Sequence, residues 1–285
     1  MASQPEGVAF VQRGVVVSRF SFFCLVAVVA SCGGCAKGAA SPATDPQRQS
    51  EAQYDVARDY FDKGQPRLAL DHCRNAIELD PENSRALYFA SVVHLYFCSG
   101  KLELADPDCR LSDAENYIRR ALKAKDNFRE AENTLGQILI LEKRYPEAIA
   151  SLEPLTKDPA FESNYLAWGN LGWAQVLSGQ VDRGIESLKN SITEPRFCVG
   201  HYRLGAAYEM KGQLAEAEQS LTTALSVDAP QCRGLQDAWL ARGRVRAKLG
   251  RQADSRADFE KCRDLSTETA AGKACVQALS AAPAP

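Results

Sequence analysis

The sequence predicts an all-α solenoid, in which six helix pairs stack in chain order and one further helix closes the stack. The main observation is a period of about 34 residues, clearest where Leu204-Gly205 and Tyr208 repeat the pattern of Leu171-Gly172. A second observation is composition, because 45% of the 285 residues are hydrophobic and 25% are charged. That balance allows a sizeable core and is not the composition of a disordered chain.

The repeated spacings carry the signature of the tetratricopeptide repeat, in which small residues stand where two helices must approach closely. Gly172, Gly184 and Leu188 in one copy correspond to Gly205, Ala217 and Leu221 in the next. The resemblance implies helix pairs whose first members line a concave face. Such a stack forms a long curved surface that holds another chain, and it has no natural catalytic pocket. We therefore expect a binding protein and no enzyme.

The first 31 residues are predicted to be a signal peptide. Arg13 and Arg19 precede an apolar run at 20–30, about 11 residues long, which suits a signal-peptide core and is too short to span a bilayer. The run ends in Val29-Ala30-Ser31-Cys32, which resembles a bacterial lipobox. The resemblance implies that the thiol of Cys32 is lipidated after cleavage.

Cys35 is an alternative lipidation site, because it also follows small residues. A redox or metal-binding role for the Cys32-Gly-Gly-Cys35 motif is less favoured, since redox motifs of this kind open a helix after a strand and no strand is predicted here. Gly33, or Ala36 for the alternative site, would be the second mature residue. Neither is the aspartate that commonly retains lipoproteins at the inner membrane, so an outer-membrane location is expected. Residues 32–49 are predicted to be the lipidated N-terminus and a flexible tether, rich in Ala, Ser, Pro and Gly.

The helix pairs are predicted to fill residues 50–265. Pro81 closes the first pair because it cannot continue a helix, and an insertion at 98–109 delays the second helix of the second pair. Arg242 stands in the sixth pair where leucine is usual. Residues 266–285 are predicted as a capping helix and tail, with Ser266, Thr267 or Thr269 as its N-cap. The repeat frames are 50–83, 84–128, 129–162, 165–197, 198–231 and 236–269.

Ten cysteines indicate an oxidising compartment. Their positions suggest three disulfides, one closing the inserted loop, one joining the fifth repeat to the sixth, and one tying the last repeat to the cap. The alternative for each pair is two unrelated buried thiols. Cys73 is predicted to be a buried free thiol. The suggested pairs are Cys98 with Cys109, Cys198 with Cys232, and Cys262 with Cys275.

Several functional classes find little support. A net charge of −2 offers no basic footprint for nucleic acid. His72, His94 and His201 have no partner at metal-ligand spacing and are interpreted as structural or surface residues. We expect no catalytic residue, no metal and no cofactor.

The concave face is the predicted binding site, because positions 5, 9, 12 and 13 of each repeat normally point inward. Curvature is expected to bury part of this set. Lys and Asn, which grip carboxylate tails in other repeats of this type, are interpreted as absent, so an amphipathic helix or a strand is the expected ligand. Aromatic and apolar residues predominate at these positions, namely Tyr54, Phe61, Tyr88, Val92, Leu95, Tyr96, Ile140 and Trp173.

A lipobox, a short tether and six repeats are together similar to the type IV pilus pilotins, the PilF/PilW/Tgl group, and the cysteine-rich chain is most similar to the Tgl branch. The resemblance covers the whole mature chain. It implies an outer-membrane lipoprotein that faces the periplasm, binds secretin subunits and promotes their insertion and assembly for pilus biogenesis and motility. The insertion at 98–109 departs from the plain repeat. The alternative is a scaffold for other envelope machinery, such as outer-membrane protein insertion or cell-wall enzymes.

Overall fold

The computed structural model describes residues 45–98 and 108–281, which belong to one compact unit, Thr44–Pro285. The predicted signal peptide, Cys32, Cys35, most of the tether, residues 99–107 of the insertion and the last four residues lie outside the described residues. Within the described ranges the chain forms thirteen α-helices, one short 3-10 helix and no strand. The predicted all-α solenoid is confirmed.

Twelve of the helices form six antiparallel pairs, and the thirteenth packs on the last pair. The 3-10 helix Pro230–Cys232 precedes the sixth pair. The pairs are α1 (Pro46–Asp62) with α2 (Pro66–Leu79), α3 (Ser84–Cys98) with α4 (Leu111–Ala124), α5 (Arg129–Leu141) with α6 (Tyr145–Thr156), α7 (Asn164–Leu177) with α8 (Val181–Ser191), α9 (Cys198–Met210) with α10 (Leu214–Ser226), and α11 (Gln236–Lys248) with α12 (Gln252–Leu265), followed by α13 (Ala270–Ala281).

The first helix of each pair contacts the first helix of the next pair, so α1, α3, α5, α7, α9 and α11 form one continuous wall. One apolar core extends from α1 to α7 between this wall and the second helices. Leu87, Ile118, Ile138 and Leu152 are among its fully buried side chains. The burial of these residues against neighbouring pairs is what makes the repeats cooperative.

The two helices of a pair approach most closely where the repeat carries glycine. A Cβ on Gly172 would lie 2.7 Å from Cγ of Leu188 and 2.9 Å from the carbonyl oxygen of Gly184. The turn between the helices also depends on a left-handed residue, which is Gly179 in this pair, with φ of 88°, and Lys143 in the third, with φ of 61°. Glycine adopts this conformation without the steric cost that a side chain imposes.

The first helix begins inside the segment predicted as tether, which corrects the boundary at residue 49. Asp45 caps α1 by accepting a hydrogen bond from the backbone N–H of Gln47 at 3.1 Å, and Pro46 occupies the first turn. Ser50 is fully buried, and its hydroxyl donates to the carbonyl oxygen of Ala76 at 2.7 Å. An aspartate cap followed by proline favours a helix start. The predicted boundary followed the Ala-, Ser-, Pro- and Gly-rich composition of the segment and did not take this cap into account.

The C-terminal end of the stack is closed by α13, and Gln236 of α11 connects the two. The Gln236 side-chain amide donates to the carbonyl oxygens of Cys262 and Ser266, both at 2.6 Å. Thr269, one of the three predicted N-cap residues, accepts a hydrogen bond from the backbone N–H of Gly272 at 2.9 Å. The final helix is therefore bonded to the last repeat and covers its open end.

No described helix combines the length and the apolar character that a bilayer crossing requires.

Candidate binding groove

The inner wall contains a concave cavity of about 450 Å³, which we call the central groove. It crosses the first five repeats and has two chemically different parts. The aromatic part consists of Phe61 on α1 and Tyr88, Val92, Leu95 and Tyr96 on α3. The remaining lining is more polar and comes from α5 to α9, namely Asn133, Thr134, Gln137, Leu166, Asn170, Phe197, Val199 and Arg203.

The aromatic part contains five of the eight residues predicted to bind a partner. Tyr96 exposes 43% of its surface and meets Phe61 edge-on, with ring centroids 5.3 Å apart. Tyr88 and Val92 are half-buried, whereas Leu95 exposes only 7% and contributes little surface. A partly exposed aromatic cluster in a concavity is a favourable setting for a binding hot spot.

The other three predicted residues lie outside the lining of the central groove. Tyr54 is 9% exposed and packs edge-on against Phe89, with the guanidinium carbon of Arg85 4.5 Å from its ring centroid. Ile140 is 6% exposed and belongs to the core, and Trp173 is half-buried against neighbouring repeats. Packing within the stack covers Tyr54 and Ile140, whereas Trp173 keeps part of its surface open.

The polar part contains a hydrogen-bonded chain that crosses three repeats. The Asn170 amide donates to Oδ1 of Asn133 at 3.1 Å, and Nη1 of Arg203 donates to Oδ1 of Asn170 at 2.8 Å. Both asparagines are buried, with 8% and 6% of their surfaces exposed. The expectation that asparagine is absent from the inward positions is therefore wrong.

These polar residues could have been found from the repeat frame. Asn133 occupies the fifth position of the third repeat, which the prediction counted as inward. Asn170 and Arg203 occupy the sixth position of the next two repeats, which the prediction did not count. The twist of the stack turns that sixth position toward the groove, so the inward set changes along the solenoid.

Electrostatics distinguish Arg203 from the other groove residues. Burial lowers its pKa to about 10, so the guanidinium remains charged at neutral pH but is poorly solvated. Burial also raises the pKa of the Tyr88 phenol, which therefore stays neutral. The groove thus combines uncharged aromatic surface with one cation.

Another cavity, of about 380 Å³, lies between α6, α7 and α8. Lys157, Asp182, Arg183 and Glu186 belong to its lining, and Asp182 pairs with Lys211 at 2.6 Å. Mixed charges of this kind are the ordinary composition of a solvated surface. The central groove is the better candidate for binding because its apolar residues are concentrated on one wall.

The histidines occupy separate environments. His94 is fully buried and stacks on Tyr117, with ring centroids 5.8 Å apart. His72 lies 2.7 Å from the side-chain oxygen of Gln53. Over residues 45–98 and 108–281, no three His, Cys, Asp or Glu side chains converge as metal ligands. That the protein lacks catalysis and cofactors stays a prediction.

All three suggested cysteine pairs are disulfides in the structure. The Cα atoms are 4.6 Å apart for Cys98 and Cys109, 6.0 Å for Cys198 and Cys232, and 6.1 Å for Cys262 and Cys275. Cys73 is a free thiol inside the core, where burial raises its pKa to about 12. A thiol in that environment is unreactive and acts as a small hydrophobic side chain.

Comparison with known sequence families agrees with this architecture. Sequence profiles of the tetratricopeptide repeat match residues 54–95, 110–160 and 200–231. The fold is a tetratricopeptide-repeat solenoid. No curated protein sequence matches the chain at a significant level.

Solved structures of similar shape include PilW, described as a widely conserved type IV pilus biogenesis factor. It shares 21% identity and superposes with a TM-score of 0.64 over 80% of this chain and 99% of PilW. Pseudomonas aeruginosa PilF shares 17% identity with a TM-score of 0.59, over 82% of this chain and 98% of PilF. The similarity therefore extends over nearly the whole of PilW and PilF, and over about four fifths of this chain.

Cut9, from the Cut9–Hcn1 complex of the APC/C, gives a TM-score of 0.65 at 12% identity, over 81% of this chain and 42% of that one. The similarity to an unrelated assembly is as high as the similarity to PilW. At these identities the likeness establishes the fold, and a function must be argued from the groove.

Proposed function

We propose that this protein is an outer-membrane lipoprotein pilotin, which binds secretin subunits and promotes their membrane insertion and multimer assembly for type IV pilus biogenesis and pilus-dependent motility. The observation that carries the proposal is the partly exposed aromatic part of the central groove. The match in extent to PilW and PilF supports it. The Tgl branch of the group is favoured by the cysteine-rich chain.

The aromatic part of the groove fits a client that is apolar and still unassembled. A secretin subunit that has not reached its membrane exposes segments that would otherwise aggregate. Phe61, Tyr88, Val92 and Tyr96 offer a concave surface for one such segment, and removing apolar surface from water stabilises the complex by about 25 cal/mol per Å². The same groove releases the segment once the bilayer offers a larger apolar environment.

A lipid at Cys32, or alternatively at Cys35, would hold this complex at the outer membrane. Each buried CH₂ of an acyl chain contributes about 0.8 kcal/mol, so several chains make the attachment effectively permanent. The tether between the lipid and α1 lets the groove work below the bilayer. Cys32→Ala is expected to abolish incorporation of labelled fatty acid, whereas Cys35→Ala is expected to preserve it; the reverse result would assign the lipid to Cys35.

The binding role is tested by placing a charge in the aromatic part of the groove. Tyr88→Asp and Val92→Asp are expected to abolish secretin multimers and surface pili in cells, because a carboxylate desolvated on binding is costly. Leu68→Asp on α2 is the matched control, since Leu68 is 45% exposed and lies outside the central groove. Circular dichroism of the purified variants is the check that each one is folded.

Normal secretin multimers in the two folded groove variants would contradict the pilotin proposal. An affinity purification that recovers cell-wall hydrolases or outer-membrane insertion factors, and no secretin, would instead favour the scaffold function.

A further inference from the structure

Arg203 is a charged residue in the lining of the central groove, and its guanidinium carbon lies over the Trp173 ring, 6.0 Å from the ring centroid. Within the described part of the chain it forms no ion pair with a carboxylate. Arg244, at a nearby position on α11, shows the contrast, because its Nη2 lies 3.0 Å from a carboxylate oxygen of Glu209. Arg203 donates from Nη1 only, to Oδ1 of Asn170 at 2.8 Å and to the carbonyl oxygen of Gly169 at 3.0 Å.

Arg203 is part of the lining of the central groove, and Nε and Nη2 are the donors that these two hydrogen bonds leave unused. Nε and Nη2 of Arg203 have no hydrogen-bond acceptor among the described residues. They are also not enclosed, since the buried side-chain nitrogens without a partner in the described structure are both on His94. A guanidinium carries five N–H donors in a planar fork that matches the two oxygens of a carboxylate. The open edge of Arg203 is thus suited to a bidentate contact with an acidic group.

The environment would strengthen such a contact. The lowered pKa of Arg203 reflects poor solvation, which a carboxylate would relieve. Hydrogen bonds between charged partners in a partly buried site are about twice as strong as those between neutral groups. Asn133 and Asn170 belong to the same hydrogen-bonded chain and make the lining around the cation polar.

The shape of the wall indicates where in the ligand the acidic group lies. A neighbouring cavity of about 430 Å³ shares Leu166, Phe197 and Val199 with the central groove. The concave surface therefore continues from the central groove into this second cavity. A bound chain can therefore run through both cavities without ending at the guanidinium. This continuity favours an internal side chain over a terminal carboxylate.

We propose that the central groove recognises an extended client segment in which apolar residues are followed by an internal aspartate or glutamate, whose carboxylate pairs with Arg203. The apolar residues occupy the aromatic part of the groove, and the acidic residue fixes the register along α5, α7 and α9. This inference rests on the proposed function, because it specifies which kind of secretin segment the pilotin holds.

The test uses the purified mature protein and overlapping synthetic peptides that cover the secretin of the same organism, with binding followed by fluorescence anisotropy. Peptides that bind are expected to contain an internal acidic residue near apolar ones. Replacing that residue with its amide should weaken binding about tenfold or more, as expected for the loss of a charged hydrogen-bonded pair. Amidating the peptide C-terminus should leave binding unchanged.

The second arm of the test changes the protein instead of the peptide. Arg203→Gln should weaken binding of the acidic peptide by the same factor and cause little further loss with the neutral peptide, because the two changes remove one interaction. Arg183→Gln, an exposed arginine on α8, is the control and should have no effect. If Arg203→Gln fails to fold, the neutral peptide measured against the unaltered protein decides the question.

Two failures are distinguishable. Secretin peptides that bind equally well with and without their acidic residue, or only through a free C-terminus, would overturn the inference and leave the proposed function intact. The absence of any bound secretin peptide would overturn the proposed function, and the inference with it.

Discussion

Arg242 of α11 and Asp258 of α12 form a bidentate, buried ion pair. Nε lies 2.9 Å from Oδ2 and Nη2 lies 2.7 Å from Oδ1, and the Asp258 side chain is 2% exposed. Arg246 adds a third contact to Oδ2 at 3.0 Å. Arg242 stands where Leu171 and Leu204 stand in earlier repeats. The sixth repeat therefore replaces an apolar contact with an ion pair, which explains its weak sequence signature.

The ion pair predicts a large penalty for losing one partner. Asp258→Ala should lower the free energy of unfolding by about 3–5 kcal/mol, because it leaves Arg242 buried and uncompensated. The measurement is denaturant unfolding followed by circular dichroism. Asp254→Ala, an exposed change on the same helix, is the control. Replacing Arg242 and Asp258 together with leucine should recover most of the loss; a double variant as unstable as Asp258→Ala would contradict this account.

The close approach of α7 and α8 predicts that Gly172→Ala is destabilising. The added Cβ would lie 2.7 Å from Leu188 and 2.9 Å from the carbonyl of Gly184, so the helices must separate. Overpacking of this kind costs about 1–3 kcal/mol, which calorimetry would register as a lower melting temperature. Gly234→Ala is the control, since nothing lies within 4 Å of a Cβ there. Equal melting temperatures for the two variants would show that the interface tolerates a methyl group.

The disulfide between Cys262 and Cys275 predicts a redox-dependent attachment of the C-terminal helix. It spans 13 residues, and closing a loop of about that length stabilises by roughly 3 kcal/mol in the chain-entropy model. Changing both cysteines to alanine should make the segment around 266–270 sensitive to limited proteolysis.

Reductant supplies the control for this prediction, because it should add little to the proteolysis of the double variant. Alkylation without reduction, followed by intact-mass measurement, should label none of the six paired cysteines. Labelling of Cys262 or Cys275 in the native protein would contradict the pairing.

Because His94 is fully buried, we expect the stability of the protein to fall on mild acidification. Burial lowers its pKa below the ordinary 6.5; nearby Arg74 and Arg110 act in the same direction, while Asp113 opposes them. The folded protein keeps the ring neutral, whereas the unfolded chain binds a proton below about pH 6.5. Because the unfolded state then holds more protons, the free energy of unfolding decreases as the pH drops below that value.

Unfolding measured between about pH 7 and pH 5 should show this slope, and His94→Leu should reduce it. Some slope should persist in that variant, since burial also lowers the pKa of His201. His72→Gln, a change on α2, serves as the comparison. An unchanged slope in His94→Leu would mean that the ring is not held neutral by the fold.

Local patterns were sufficient to predict the helix pairs. The spacing of Gly172, Gly184 and Leu188 describes contacts made within one repeat, and those contacts are the same wherever the repeat occurs. The three disulfides were also suggested by position, because Cys98 and Cys109 bound the inserted loop, while the other two pairs lie on elements that follow one another in the stack. The start of α1 was placed too late, since a cap of only two residues was outweighed by the composition around it.

Which residues line the central groove depends on contacts between repeats, and the sequence of a single repeat does not contain that information. Tyr54 and Ile140 hold inward positions in the repeat frame, yet contacts with neighbouring helices remove them from the open surface. Asn170 and Arg203 hold a position that is not usually inward, yet they line the groove. The rotation between successive repeats is set by how their side chains pack, and it accumulates along the stack.

By itself, the sequence determined that this chain is a periodic stack of helix pairs. Each pair is held together by contacts between residues that are close in the chain, and their spacing is visible in the sequence. Only the tertiary structure decided which residues line the central groove, and that Arg203 lies among them without a carboxylate partner in the described part of the chain. Exposure and charge compensation depend on neighbours about 30 or more positions away in the chain, and the packing of whole repeats brings those neighbours together.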